Sequence, residues 1–257
     1  MAAEFWSSSH YNHWLLDKNR VQQSYARERD TFSETELKKL HIFFAQMIQT
    51  LGKNLKLKQR LIATAIVYFK RFYIKNSFLH YDPRLIAPTC LYVASKVEEC
   101  SLQAKVLCMK LKGMDVSYSY TMQDMLECEF YILEEMNFYL ILYHPYKPLI
   151  QFMSHPDTPK EIKELFSWAW YLVTDSYRTD LCLLYPPYMI ALACIFTAGV
   201  FKEKDTTAFF MDLNVDMKEI ADIAEQLHIM YESYGKIDSD EINRLKARLP
   251  AFPNLSC

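Results

Sequence analysis

The stretch Leu61-Ile-Ala-Thr-Ala65-Ile-Val-Tyr68-Phe69-Lys70-Arg71-Phe72-Tyr73, followed by Pro83-Arg-Leu-Ile86-Ala87-Pro88-Thr-Cys90-Leu-Tyr-Val-Ala94-Ser95, returns at an offset of 104 residues as Leu165 to Tyr177 and Pro187 to Gly199. Leu61, Ala65 and Tyr73 align with Leu165, Ala169 and Tyr177. Pro83, Ile86, Ala87, Cys90 and Ala94 align with Pro187, Ile190, Ala191, Cys194 and Ala198. These are eight identities in two 13-residue windows, where ordinary composition supplies about one or two. A repeat of this kind predicts two copies of one folding unit.

The rest of the composition agrees with that reading. A chain of 257 residues, 51% apolar and 15% aromatic, suits two domains of roughly a hundred residues, each with its own core. Four glycines exclude both the glycine-rich dinucleotide turn and the glycine-lysine phosphate loop. Seven cysteines without a Cys-x-x-Cys pair point to reduced thiols in an intracellular compartment, with Cys90 and Cys194 as small core residues. The opening Met1 to Trp6 has no basic start before an apolar run, and no stretch reaches membrane-span length, so neither export nor membrane insertion is expected. A net charge of −2 gives no overall positive field for nucleic acid. One local exception is the segment from Lys53 to Lys75, with Lys53, Lys56, Lys58, Arg60, Lys70, Arg71 and Lys75 and no acid. It reads either as a solvated helix face or as a docking surface for an acidic or phosphorylated partner.

Local patterns predict an all-α chain with no strand. Ser33 and Glu36 make a capping box before Leu37, Leu40, Phe44, Met47, Ile48 and Leu51, a helix that Gly52 is expected to end. Leu57 to Tyr73 reads as a second helix and Asp82-Pro83 starts a third, in which Pro88 either bends the helix or shifts its start. Small residues at Ala87, Cys90 and Ala94, and again at Ala191, Cys194 and Ala198, make this helix central in its bundle. Helices near Leu102 to Leu111 and Thr121 to Phe138 complete five. Pro145 to Pro148 marks the boundary. Pro159 to Tyr177, Pro187 to Lys202, Thr206 to Leu213 and Asp216 to Tyr234 rebuild the unit with a less complete start, and a last helix lies near Asp240 to Leu249. The expected division is 1–32 as an N-terminal helical extension, 33–143 and 144–237 as the two units, and 238–257 as a C-terminal helix and tail.

Nothing in the sequence forms a catalytic site. No nucleophile elbow occurs, His10 and His13 lack further obvious ligands for a metal, and Glu98-Glu99 and Glu134-Glu135 read as solvated helix charges. No catalytic residue, metal or cofactor is expected.

Ala65 to Phe72, then Ala87 through Ala94-Ser95-Lys96-Val97-Glu98-Glu99, then Leu126-Glu-Cys-Glu129 through Leu133 resemble the first box of the cyclin family, in order and spacing. Phe5 to Tyr11, Tyr143-His144-Pro145-Tyr146 and Tyr177 to Pro187 are more similar to its transcriptional C-type branch than to the cell-cycle cyclins. The resemblance covers nearly the whole chain. It implies two tandem five-helix cyclin boxes with added terminal helices, and a non-catalytic subunit that binds a cyclin-dependent kinase and holds the kinase C-helix inward. The implied partners are the catalytic subunit of the Mediator kinase module and other Mediator subunits, in the nucleus, with no direct DNA binding. The runner-up is a TFIIB-like general transcription factor, which also has two cyclin-like repeats and binds promoter DNA. Such a factor is expected to carry a zinc ribbon and a basic face, and neither is visible in this sequence.

The resemblance places Lys96 and Glu129 at the charged pair that cyclins use to bind the segment leading into the kinase C-helix. The second repeat has Val200 where the first has Lys96, which implies that only the first box grips the kinase. Trp6, Tyr11 and Trp14, with Leu15 and Leu16, form an aromatic N-terminal segment that either contacts the kinase or packs on the first box. Arg178 and Asp180 are candidates for a groove between the boxes, or satisfy each other or nearby helix ends. The substrate-docking patch of the cell-cycle cyclins is not matched. Leu40-His41-Ile42-Phe43-Phe44 stands in its place, with Met47 at the position of the docking tryptophan.

Overall fold

The computed structural model describes residues 2–114, 118–213, 215–234 and 238–249. Along the chain the helices are α1 (Ala2–Trp6), α2 (Ser9–Trp14), α3 (Lys18–Ala26), α4 (Glu34–Asn54), α5 (Gln59–Lys75), α6 (Pro83–Val97), α7 (Ala104–Met114) and α8 (Met122–Glu135). They continue as α9 (Tyr146–Ser154), α10 (Lys160–Lys163), α11 (Phe166–Ser176), α12 (Leu181–Leu184), α13 (Pro187–Phe201), α14 (Thr207–Asp212), α15 (Met217–Tyr234) and α16 (Ser239–Ala247). There is no strand among the described residues.

The first unit contains the described residues of 16–142 and 237–257. Its five main helices are α4 to α8, with α5 and α6 packed most extensively on each other. α3 lies on α4 and α5, and the turn after it is tied by Glu28, whose carboxylate accepts the Phe78 N–H at 2.7 Å. α16 lies on α4, through Lys39 to Glu241 at 2.7 Å and Arg248 to Glu36 at 2.7 Å.

The second unit contains the described residues of 1–15 and 143–236. α9, α11, α13, α14 and α15 are its counterparts of the first five. α1 and α2 join it because Phe5 buries its ring 5.5 Å from Tyr143 and the His10 Nδ1 accepts the Tyr143 N–H at 3.1 Å. The remainder of the N-terminal segment, from Leu16, belongs to the first unit.

The duplication is carried by the core. All eight aligned pairs are buried, from Leu61 and Leu165 to Ala94 and Ala198. α6 and α13 both begin with a proline in the first turn, where the missing donor costs nothing. Both end in the same way. Cys100 N–H donates to Ser95 O at 2.8 Å and Lys204 N–H to Gly199 O at 2.9 Å, with Glu99 and Glu203 each left-handed at φ 52°. The interhelical contact one residue before each of these glutamates is also kept, with changed chemistry: Thr64 donates to Glu98 at 2.8 Å, and Lys202 lies 3.8 Å over the Trp168 ring.

Several local expectations are corrected. α4 passes through Gly52 and ends at a left-handed Lys56, with Leu57 N–H donating to Gly52 O at 3.0 Å. Gly52 serves a close approach instead: a Cβ there lies 2.5 Å from Ile62 Cγ1. α6, by contrast, starts at Pro83 as expected, capped by Asp82, and the buried Pro88 lies inside it without shifting that start. The expected helix from Pro159 to Tyr177 is divided into α10 and α11 by a turn at Glu164 and Leu165. Pro145 to Pro148, just beyond the change of unit after Leu142, form the first turn of α9, which supplies the start that the second repeat lacked in sequence.

Of the basic segment, Lys70 and Arg71 are buried rather than solvated, because α5 is enclosed on every side from Leu61 to Ile74. Cys90 and Cys194 are fully buried, and burial pushes both thiols well up. Every described cysteine is a free thiol.

Gly52→Ala should cost about 1–3 kcal/mol by overpacking. Urea unfolding checks this, and adding Ile62→Ala should recover part of the loss relative to Ile62→Ala alone.

Candidate functional site

Lys96 leaves the last turn of α6, where a cation is favoured by the helix dipole. Glu129 leaves α8, on the edge of the buried stripe formed by Met125, Cys128, Ile132 and Met136. The two meet: Lys96 Nζ donates to Glu129 Oε1 and Oε2, both at 2.7 Å. The ammonium also lies 4.6 Å over the Tyr92 ring, one turn back on α6. The Glu129 side chain is 11% exposed and that of Lys96 is 50% exposed, so the carboxylate is set in the wall and the ammonium closes over it.

Partial burial alone pulls the Lys96 pKa down. The hydrogen bonds to Glu129 and Tyr92, with the Glu129 charge, outweigh it together and leave the pKa above that of an ordinary lysine.

The chain that follows α8 is fixed from α5. Tyr68 OH donates to Leu140 O at 2.6 Å and Arg71 Nη1 to Tyr139 O at 3.3 Å, so two fully buried side chains hold the strap that follows α8. The Lys75 ammonium donates to Glu135 O at the end of α8. Asn137 and Phe138 turn the chain there in left-handed conformations, at φ 49° and 57°. On α8 and this strap Phe130, Phe138 and Ile141 are exposed, at 73%, 67% and 68%. Sequence reasoning missed all three. The available signal was Phe130, an aromatic residue standing off the apolar stripe of α8.

The remaining candidates lie in the second unit. Trp6 and Tyr11 are exposed and 4.8 Å apart, with Trp6 6.2 Å from Tyr188, whereas Trp14 is buried. Arg178 pairs with Asp175 at 3.2 Å, and Asp175 also accepts the Tyr231 hydroxyl at 2.8 Å. Asp180 is the N-cap residue of α12 and is partly exposed. Val200, the repeat counterpart of Lys96, is exposed. No group of three or more His, Cys, Asp or Glu side chains suited to a metal ion occurs among the described residues.

Residues 11–141 match the family described as Cyclin, N-terminal domain, and residues 144–232 match the Cyclin C-terminal domain. The chain belongs to the cyclin family. It is similar to Cyclin-C of Rattus norvegicus, 45% identical over 97% of this chain and 91% of that one. It is 43% identical to Cyclin-C1-1 of Oryza sativa subsp. japonica, over 98% and 99%. In fold it is similar to a chain of the CAK complex of Chaetomium thermophilum, with a TM-score of 0.75, 20% identity and coverage of 96% and 88%. A chain of the yeast RNA Pol II CTD kinase CTDK-1 complex gives 0.69, 18%, 94% and 87%. In this cyclin, then, α4 to α8 are the first box, and α9, α11, α13, α14 and α15 the second. The stretch in place of the family's substrate-docking patch is turned inward at Leu40, Ile42 and Phe44.

Lys96→Ala and Glu129→Ala should each lower stability by less than about 1 kcal/mol, because half of the lysine is in water. The Lys96 pKa is raised in the folded state, so the pair's contribution is whole below the unfolded value of about 10.4 and is lost as pH rises through the folded value. Urea midpoints of the parent and the double variant should therefore differ equally at pH 7 and pH 9, and converge above pH 10.5.

Proposed function

We propose that this cyclin is the non-catalytic regulatory subunit of a cyclin-dependent kinase, and that it grips the kinase through Lys96 and Glu129 on the first box. The observation that carries this reading is the preformed Lys96–Glu129 pair, which closes at the motif positions the family uses for kinase binding and sits in the same unit as exposed Phe130, Phe138 and Ile141. The Cyclin-C relatives, and the kinase complexes in which the fold recurs, support it.

Activation needs no chemistry from the cyclin. A kinase is active when a glutamate of its C-helix pairs with the strand lysine that holds the nucleotide phosphates. A rigid surface that binds the inward C-helix better than the outward one shifts the population toward the active state, by no more than that difference in affinity. α6 and α8, backed by the buried α5, form such a surface. Val200 in the second box offers no matching cation, so the grip belongs to the first box. Trp6 and Tyr11 remain accessible for kinase selection.

Within this reading the kinase is the catalytic subunit of the Mediator kinase module, acting in the nucleus with other Mediator subunits on RNA polymerase II transcription. The likeness to Cyclin-C relatives over nearly the whole chain supports that assignment. Affinity purification of the tagged chain from its native cells, with mass spectrometry of what is retained, tests it. A cyclin-dependent kinase with Mediator subunits is expected. A different kinase would keep the cyclin role and reject the module, and promoter DNA with polymerase but no kinase would favour the TFIIB-like alternative.

Lys96→Ala combined with Glu129→Ala should weaken kinase binding by about tenfold or more, the scale of two charge-assisted hydrogen bonds, with helical content and melting nearly unchanged. Calorimetry and circular dichroism read the two quantities. Unchanged affinity would sink the site assignment, and an unfolded double variant would make both residues structural.

A further inference from the structure

A second surface of the first box carries charge that local structure leaves unexplained. The corner between α4 and α5 holds Lys53, Lys56, Lys58 and Arg60, with no acid before Lys75. α7 adds Lys105, Lys110 and Lys112 with no acid from Leu102 to Met114; the first acid beyond is Asp115. Asn54 Nδ2 donates to Met114 Sδ at 3.6 Å, which brings the end of α7 to the corner. Lys110 lies one turn before Met114 on the same flank of α7.

Arg60 is committed to Glu98 at 2.9 Å. Lys53, Lys56, Lys58 and Lys110 are exposed and make no ion pair among the described residues. Lys53 stands in the last turn of α4, where a cation is favoured. The other two corner lysines are at a cost. Lys56 takes a left-handed conformation that glycine adopts more easily. Lys58 is the N-cap residue of α5 without a side-chain cap, where the helix dipole disfavours a cation.

We propose that Lys53, Lys56, Lys58 and Lys110 form a docking surface for phosphorylated segments of polypeptide. Each phosphoserine carries a charge of roughly −2 and three strong acceptor oxygens, so two of them balance four ammonium groups. Lysine binds phosphate as a point charge without needing a fixed fork, which suits a surface that meets varied sequences. Met114, exposed beside Asn54, gives the flanking peptide residues an apolar contact. Nucleic acid fits less well. The whole chain carries a charge of −2, and the exposed apolar residues of α7, Val106, Met109 and Met114, include no aromatic ring on which a base could stack. The surface goes beyond kinase activation and does not depend on it, since binding is read on the cyclin alone.

Fluorescence anisotropy with the full chain tests the proposal. The probes are a peptide with two phosphoserines four residues apart, the same peptide with serines, and a single-stranded DNA of equal charge. The phosphopeptide should bind about tenfold or more tighter than the serine peptide and tighter than the DNA, weakening as salt rises. Lys53→Gln, Lys56→Gln, Lys58→Gln and Lys110→Gln together should remove most of that difference with the melting curve unchanged, and Lys160→Gln with Lys163→Gln should leave it intact. Lys56→Gly alone should raise the melting temperature while weakening the phosphopeptide, a combination that a structural role for Lys56 does not produce. Equal affinity for the two peptides, full phosphopeptide affinity in the quadruple variant, or DNA binding as tight as the phosphopeptide each overturns it.

Discussion

The first box depends on the complete enclosure of α5. Every residue from Leu61 to Ile74 is buried, and two of them, Lys70 and Arg71, carry charge. A buried cation is tolerated only where protein dipoles replace its water, and leaving one without them costs several kcal/mol. Arg71 finds the carbonyl of Tyr139, and Tyr68 finds that of Leu140. The chain after α8 is consequently held against α5. The same helix is the one on which α6 packs most extensively, and Ala87, Cys90 and Ala94 of α6 are each fully buried. Lys96 at the end of α6 and Glu129 on α8 are thus referred to one rigid support.

Duplication preserved this support and freed the surface above it. The eight aligned pairs are core residues in both copies, whereas the paired contacts at the ends of α6 and α13 changed their chemistry. Thr64 and Glu98 share a hydrogen bond, while Trp168 and Lys202 share a cation–π contact at the same place in the repeat. The left-handed Glu99 and Glu203 that follow them are unchanged in geometry. Packing constrains volume and backbone closely and surface chemistry weakly. Position 96 could therefore keep a lysine while position 200 became valine.

The repeat, the all-α class and the central place of α6 and α13 were legible because they rest on small and apolar residues at helical spacing, which sequence displays directly. The pairing of Lys96 with Glu129 was legible only through resemblance, since neither charge is unusual for its helix. Prolines carried less information about helices than about boundaries. Pro145 and Pro148, beside the change of unit, also start α9, where a missing donor in the first turn is harmless, and Pro88 lies inside α6, whose start stays at Pro83. Gly52 reads as a stop but lies inside α4, where the absent Cβ leaves room for Ile62 of α5, a tertiary fact with no local signature. The buried state of Lys70 and Arg71 was hidden for the same reason: enclosure of α5 is tertiary, and Arg71 reaches a carbonyl 68 residues away along the chain.

If the Lys96–Glu129 pair is the kinase grip proposed above, its closed state sets a condition on how the partner is recognised. The ammonium has three donors and the carboxylate about four lone-pair sites, so a mutual hydrogen bond leaves capacity on both. A peptide group can add its carbonyl to Lys96 and its N–H to Glu129 without separating them, and the ordering of the two side chains has already been met in the free cyclin. The pair has no net charge, so it attracts nothing from a distance and acts only once a backbone is seated at the correct register. Affinity must then come from apolar contact in the same unit, where Phe130, Phe138 and Ile141 are exposed. In such a division of labour the charged pair selects geometry and the aromatic and aliphatic surface supplies the energy. A rigid wall behind both is what allows a change of partner shape, rather than of the cyclin, to absorb the binding free energy.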